Sequence, residues 1–292
     1  MKAALLPDRG IVRLTGADVK SFLNNLVTAD LGDLSPQQAR FAALLTPQGK
    51  IIADFIVVET AEADVGSIFL DCPRALATTI ADRLRFYKLR AKITIEDQSD
   101  ALGVLALWDE TGATTGHGYP DPRLPALGAR MVLPPENAAA TAAEIGAELV
   151  DAAAYENHRI ALGVPRGGVD FIYGDAFPHE TDMDQLGGVD FDKGCYIGQE
   201  VVSRMHHRGT ARTRIVGVTY DGFPPEPGAP VEAGGKQVGT MGSGVEGRGL
   251  ATLRLDRLAD ALAAGAQPVA GGVTLRPQRQ DWARFEFPSG VS

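Results

Sequence analysis

The stretch Arg40-Phe41-Ala42-Ala43-Leu44-Leu45-Thr46-Pro47-Gln48-Gly49-Lys50-Ile51-Ile52-Ala53-Asp54-Phe55-Ile56-Val57-Val58-Glu59 decides the fold class. Two apolar runs, Arg40 to Thr46 and Ile51 to Glu59, flank Thr46-Pro47-Gln48-Gly49, where proline presets a turn and glycine closes it. The pattern predicts a β-hairpin, so part of the sheet is antiparallel. Upstream, Val19, Phe22, Leu23 and Leu26 recur at helical spacing behind Thr15 and Asp18, a pair with the form of a capping box. Downstream, Ser67 to Asp71 reads as a strand that runs into Pro73. Leu76, Ile80, Leu84 and Tyr87 then mark one helix face, and Lys92 to Glu96 alternates as a strand. Helices and strands interleaved around an antiparallel hairpin give an α+β class with mixed or antiparallel sheets rather than a doubly wound one. No Gly-x-Gly-x-x-Gly opens a helix for a dinucleotide.

Further along, Glu136 to Leu149 is an Ala-rich helix candidate. Asp151 to Leu162 is another, capped by Asp151 and stopped by Gly163 and Pro165. After about residue 208 the texture changes to short β-prone runs, Arg214 to Tyr220, Gln237 to Gly242 and Val273 to Arg276, separated by Gly and Pro clusters. The expected organisation is therefore an α+β body over residues 1–207 and a small C-terminal β-barrel over 208–292.

The 292 residues suffice for roughly two domains and a core that needs neither disulfides nor metal. Lys and Arg number 28 against 37 Asp and Glu, a net charge of -9, so any polyanion site has to be a local patch. No apolar run approaches the length of a membrane span and the N-terminus carries no targeting pattern, from which a cytoplasmic protein without a membrane partner is expected. The two cysteines, Cys72 and Cys195, lie far apart with no Cys-x-x-Cys, so neither a disulfide framework nor a four-cysteine cage is expected. A cysteine that matters here acts as a single thiol.

Chemistry concentrates in Val189-Asp190-Phe191-Asp192-Lys193-Gly194-Cys195-Tyr196-Ile197-Gly198-Gln199-Glu200. Glycines on both sides of the thiol allow positive φ or a close approach, and a helix can start near Gly198, which puts Cys195 just before a helix N-terminus. Lys193 and the acid-free stretch Ser203 to Arg214, with Arg204, Arg208, Arg212, Arg214, His206 and His207, would favour thiolate. The alternative is a small buried hydrophobe in a Gly-rich turn. Adjacent histidines diverge on a helix or strand, so no metal site is assigned to His206 and His207. The arginines read either as a solvated face or as a landing site for a phosphate, a polyglutamate tail or tRNA. Cys72 is assigned to packing.

Lys193-Gly194-Cys195-Tyr196-Ile197-Gly198-Gln199-Glu200 resembles the signature of the YgfZ family, folate-binding proteins that assist maturation or repair of iron–sulfur proteins. The likeness extends through Thr15 to Asp18, Leu26 to Asp30, Thr46 to Asp54, Arg159 to Pro165 and Val238 to Ser243. That family is similar in fold to the glycine-cleavage T protein, an aminomethyltransferase, with a folate-binding α+β body and a C-terminal β-barrel. The resemblance implies a factor for iron–sulfur assembly or repair rather than an enzyme, with iron–sulfur client or assembly proteins as partners. It implies Cys195 as the essential group, supported by Lys193, Tyr196, Gln199 and Glu200. Tetrahydrofolate or a derivative is the implied cofactor, with Tyr155, Arg159, Asp54 and Arg208 as candidate binding residues. A tetrahydrofolate-dependent one-carbon transferase and a tRNA-modification accessory protein are the alternatives. Against the transferase, its adjacent Asp pair appears here as Ala53-Asp54, and its pterin-binding Glu position as Ala161. A buried pterin donor left without a carboxylate costs about 1 to 3 kcal/mol.

Overall fold

The computed structural model describes residues 1–60, 67–109, 118–209 and 211–288. These fall into two compact units, each built from separated stretches of chain. The first comprises Met1–Tyr155 and Leu186–Gln199, the second Glu156–Gln185 and Glu200–Ser292. This division differs from the expected one at residue 207, because the chain passes between units three times.

In the first unit the strands are β1 (Lys2–Leu6), β2 (Arg9–Thr15), β3 (Arg40–Leu45), β4 (Ile51–Glu59), β5 (Ile68–Pro73), β6 (Thr94–Asp97), β7 (Gly103–Trp108), β8 (Gly118–Pro120), β9 (Ala129–Leu133) and β10 (Glu148–Leu149). One five-stranded sheet runs β3-β4-β5-β2-β6 and is antiparallel throughout. The other runs β10-β1-β7-β9-β8 and is mixed, since β10 joins β1 in parallel. The β3–β4 hairpin forms as read. Gly49 N–H closes the turn on Thr46 O at 2.8 Å, and Thr46 Oγ1 accepts from Lys50 N–H at 3.2 Å. Helix α1 (Val19–Asn24) also forms, although Asp18 at its N-cap makes no side-chain capping bond; its Oδ2 instead accepts from Lys92 N–H at 2.9 Å. Helix α2 (Ala77–Lys88) buries Ala77, Ile80, Ala81 and Leu84 on an apolar cluster shared with Leu23, Phe55 and Leu70.

The Ala-rich segment gives a shorter helix than its composition suggests. Helix α3 is Ala138–Glu144, and Gly146 at φ 71° turns the chain so that Glu148 and Leu149 pair with Lys2 and Ala3. Helix α4 (Ala152–Ala161) is capped as expected, Asp151 Oδ1 accepting from Ala154 N–H at 2.9 Å.

The second unit holds α5 (Gln199–Arg208) from Glu200 onward, with β11 (Thr213–Thr219), β12 (Pro230–Ala233), β13 (Lys236–Val245), β14 (Arg248–Arg254), α6 (Leu255–Ala263), β15 (Val269–Ala270), β16 (Val273–Thr274) and β17 (Arg276–Gln278). Its seven-stranded sheet runs β16-β15-β12-β13-β14-β11-β17. The two edge strands β16 and β17 are separated in sequence by Leu275 alone, so the sheet has to curl back on itself, a nearly closed barrel. Val216, Val231, Met241, Leu253 and Leu275 fill it, and Leu258 of α6 packs against the same cluster.

Candidate functional site

The cysteine loop belongs to the first unit and is fastened to it at three points. At its start, Asp190 N–H donates to Thr28 O at 3.0 Å, while the buried Thr28 hydroxyl donates to Gly188 O at 2.5 Å. Asp190 Oδ1 then accepts from Asp192 and Lys193 N–H at 2.9 and 3.0 Å, which makes the turn ahead of the thiol. In the middle, Lys193 Nζ donates to three carbonyls, Asn24 O at 2.8 Å, Val27 O at 2.9 Å and Ala29 O at 2.7 Å. Those oxygens lie in and just after the last turn of α1, so the ammonium ties the loop to that helix end. Burial pulls the Lys193 pKa down to about 8, opposed by the charges of Asp30 and Asp190. At its end, Gly198 takes φ 84°, and a Cβ there would stand 2.6 Å from Thr46 O and 3.1 Å from Gly49 Cα. The loop is thus seated directly on the β3–β4 turn, where only glycine satisfies both backbone and space.

Between the second and third points stands Cys195, exposed, its Sγ without a hydrogen-bond partner among the described residues. Helix α5 starts four residues later at Gln199, whose N–H donates to Tyr196 O at 3.3 Å. Tyr196 is buried beneath the loop with its ring 5.4 Å from Lys193 Nζ, and burial, aided by Asp190, pushes its phenol up to about 12. Ile197 packs on the apolar cluster of the first unit. Glu200 points outward and pairs with Arg204 one turn on. The other cysteine, Cys72, is fully buried and burial pushes its thiol up to about 12, so Cys195 is the thiol available for chemistry.

The remaining candidates divide between the two units, Tyr155 and Asp54 in the first, Arg159 and Arg208 in the second. Tyr155 is 4% exposed, its ring edge-on to Trp108 at 5.3 Å and its hydroxyl 3.4 Å from Arg130 Nη2. Asp54 is buried on β4, and its charge acts on Arg9. Arg159, in the second unit, engages all five of its donors: Glu156 at 2.6 and 2.9 Å, Asp170 at 3.0 Å, Ser243 at 2.7 Å, and the Val164 carbonyl. Arg208 is exposed at the end of α5. The acid-free arginine stretch does not stay acid-free in space. Arg214 is buried against Asp184 at 2.6 Å and Asp182 at 3.4 Å, and Arg212 lies 3.6 Å from Asp256.

Sequence reasoning passed over Asp71. It lies fully buried on β5, accepting from Arg9 Nε at 2.6 Å, Arg130 Nη1 at 2.8 Å and Tyr119 Oη at 2.9 Å. Burial opposes its ionisation, but Arg9 and Arg130 outweigh burial and hold the carboxyl below its usual range. Its partners come from β2, β8 and β9, so no local motif marks it.

The architecture defines the class first. Over 99% of its length the chain matches the glycine cleavage system aminomethyltransferase T from Bartonella henselae, with a TM-score of 0.75, 17% identity and 88% of that chain covered. This is a T-protein fold, α+β with a C-terminal β-barrel, and residues 212–285 match the C-terminal β-barrel domain of CAF17. The human iron–sulfur cluster assembly factor IBA57, mitochondrial, is 32% identical over 303 residues, covering 95% of this chain and 84% of the relative. Its homologue from Mycosarcoma maydis is 32% identical, covering 88% of this chain and 74% of the relative. The chain belongs to the IBA57 family of iron–sulfur cluster assembly factors. The names of these relatives place them in mitochondria, which overturns the expectation of a cytoplasmic protein.

Tetrahydrofolate is the cofactor implied by the sequence resemblance, and the two positions where the resembled transferase carries acids hold alanines here. Ala53 is 1% exposed inside the apolar cluster of the first unit, and Ala161 is an exposed methyl at the end of α4. Neither offers the carboxylate that would accept the pterin N–H and amino donors.

Proposed function

We propose that this protein assists the assembly of iron–sulfur clusters in other proteins, and that Cys195 is the group it brings to that task. The observation that carries the reading is the exposed Cys195 thiol held between two anchors, Lys193 on the end of α1 and Gly198 on the β3–β4 turn. A thiol so placed is open to solvent and offers its sulfur to iron with little further ordering. The names of the relatives support the same task. Iron–sulfur clusters usually take four protein ligands, so a cluster meeting this loop takes its other ligands from a partner protein. Lys193, Tyr196 and Gln199 act as positioning residues for the thiol, and Glu200 with Arg204 firms the first turn of α5.

The test is Cys195→Ala in cells that lack their own factor of this family, read as the activity of an iron–sulfur hydratase normalised to its protein level. Wild type is expected to restore activity and Cys195→Ala to leave it at the level of the empty vector, with the variant present in equal amount. Restoration equal to wild type overturns the role of Cys195.

A further inference from the structure

Helix α2 ends at Lys88, and the chain leaves it through Leu89 at φ 45° and ψ -105°, a left-handed conformation that a branched side chain rarely adopts. That residue is 89% exposed, and Phe86, one turn earlier, is 75% exposed. Arg83, Lys88, Arg90 and Lys92 surround the pair in sequence, and none of the four has an ion-pair partner among the described residues. Arg85, by contrast, is tied to Asp82 and to the Ile95 carbonyl. The strained backbone of Leu89 and the last turn of α2 at Phe86 thus hold two large apolar side chains out into water, with four cations without ion pairs close by in sequence, on a chain whose net charge is -9.

We propose that this knuckle at the C-terminal end of α2 docks on an anionic phospholipid surface, with Phe86 and Leu89 entering the headgroup region and the four cations facing lipid phosphates. Charge complementarity selects an anionic occupant, and the acidic remainder of the chain is screened beyond about 8 Å at physiological salt. The apolar area selects a membrane over a folded protein. One phenyl ring and one isobutyl group offer a fraction of the roughly 800 Å² per partner that a stable protein interface buries. They protrude, and a fluid lipid interface accepts protruding groups without a matching pocket. Leu89 also argues against nucleic acid, since an aliphatic group gains nothing from stacking on bases. No helix among the described residues is long and apolar enough to cross a membrane, and this contact needs none. The inference is independent of the cysteine loop.

The test is co-sedimentation of the full chain with vesicles of phosphatidylcholine alone and of phosphatidylcholine mixed with phosphatidylglycerol. Binding is expected to the anionic vesicles alone, to fall with added salt, and to weaken about tenfold or more in Phe86→Ser/Leu89→Ser. Leu89→Gly separates docking from folding. It relieves the backbone strain, so its thermal midpoint is expected to equal or exceed that of wild type while vesicle binding falls. Failure to bind anionic vesicles, equal binding to both vesicle types, or undiminished binding by Leu89→Gly overturns the proposal. So does a single-stranded RNA oligonucleotide that binds these residues more tightly than the vesicles do, which would assign the patch to nucleic acid.

Discussion

Lys193 receives its role from oxygens 169, 166 and 164 positions earlier in the chain, those of Asn24, Val27 and Ala29. Three carbonyls converging on one nitrogen suit an ammonium with three donors; the planar fork of arginine cannot meet them all from one point. Lys193→Met keeps the apolar stem and removes the donors, leaving the three carbonyls to water or to nothing. The expected cost is about 1 to 3 kcal/mol in a denaturant melt followed by tryptophan fluorescence. A melt within error of wild type would show that the ammonium does not hold the loop. At this scale the sequence disclosed which side chains were unusual and hid what they touch. The expectation for Lys193 is an electrostatic action on the thiol, and its hydrogen bonds to the end of α1 could not be read from the sequence. Arg214 was grouped with a basic run because its acids, Asp182 and Asp184, lie 32 and 30 residues away. Asp71 was invisible for the same reason, since its partners Arg9 and Arg130 are 62 and 59 positions distant.

Elements closed by local chemistry were readable where long-range contacts were not. Thr46-Pro47-Gln48-Gly49 carries its own turn, and Asp151 its own cap, so the hairpin and α4 appear where the residues put them. The segment after Ala138 failed as a long helix because β1 recruits Glu148 and Leu149 as a strand, a tertiary demand that overrides Ala-rich propensity. The two glycines around Cys195 looked alike in sequence and differ in the fold. Gly198 sits at φ 84° with Thr46 O where a Cβ would go, whereas at Gly194 an added Cβ meets nothing within 4 Å. Gly198→Ala is therefore expected to cost about 1 to 2 kcal/mol for the backbone alone, and more for displacing the hairpin turn. Gly194→Ala is expected to stay within about 0.5 kcal/mol of wild type. Thermal melts of the two variants check this, and equal melts would mean that the loop is not seated on the hairpin.

For the whole molecule, composition reveals the barrel and conceals its dependents. The change of texture near residue 208 marks where the β-rich part begins, yet the second unit also needs Glu156–Gln185. Asp170 accepts from Ser243 N–H at 2.7 Å and from Thr252 Oγ1 at 2.9 Å, through its carboxylate and carbonyl respectively. The Leu162 carbonyl accepts from Trp282 Nε1 at 2.8 Å, the Gly163 carbonyl from Gln280 Nε2 at 3.1 Å, and Asp184 meets Arg214 at 2.6 Å. A fragment of residues 208–292 lacks every one of these early partners, and each hydrogen bond lost lowers its stability by about 0.5 to 1.5 kcal/mol. In a domain of this size each kcal/mol moves the thermal midpoint by about 4 to 8 °C. A single chain joining residues 156–185 to 200–292 through a flexible linker is accordingly expected to melt at least about 10 °C above the 208–292 fragment in calorimetry. Equal midpoints would mean that the barrel stands by itself, and that its ties to the earlier segment contribute little to its stability.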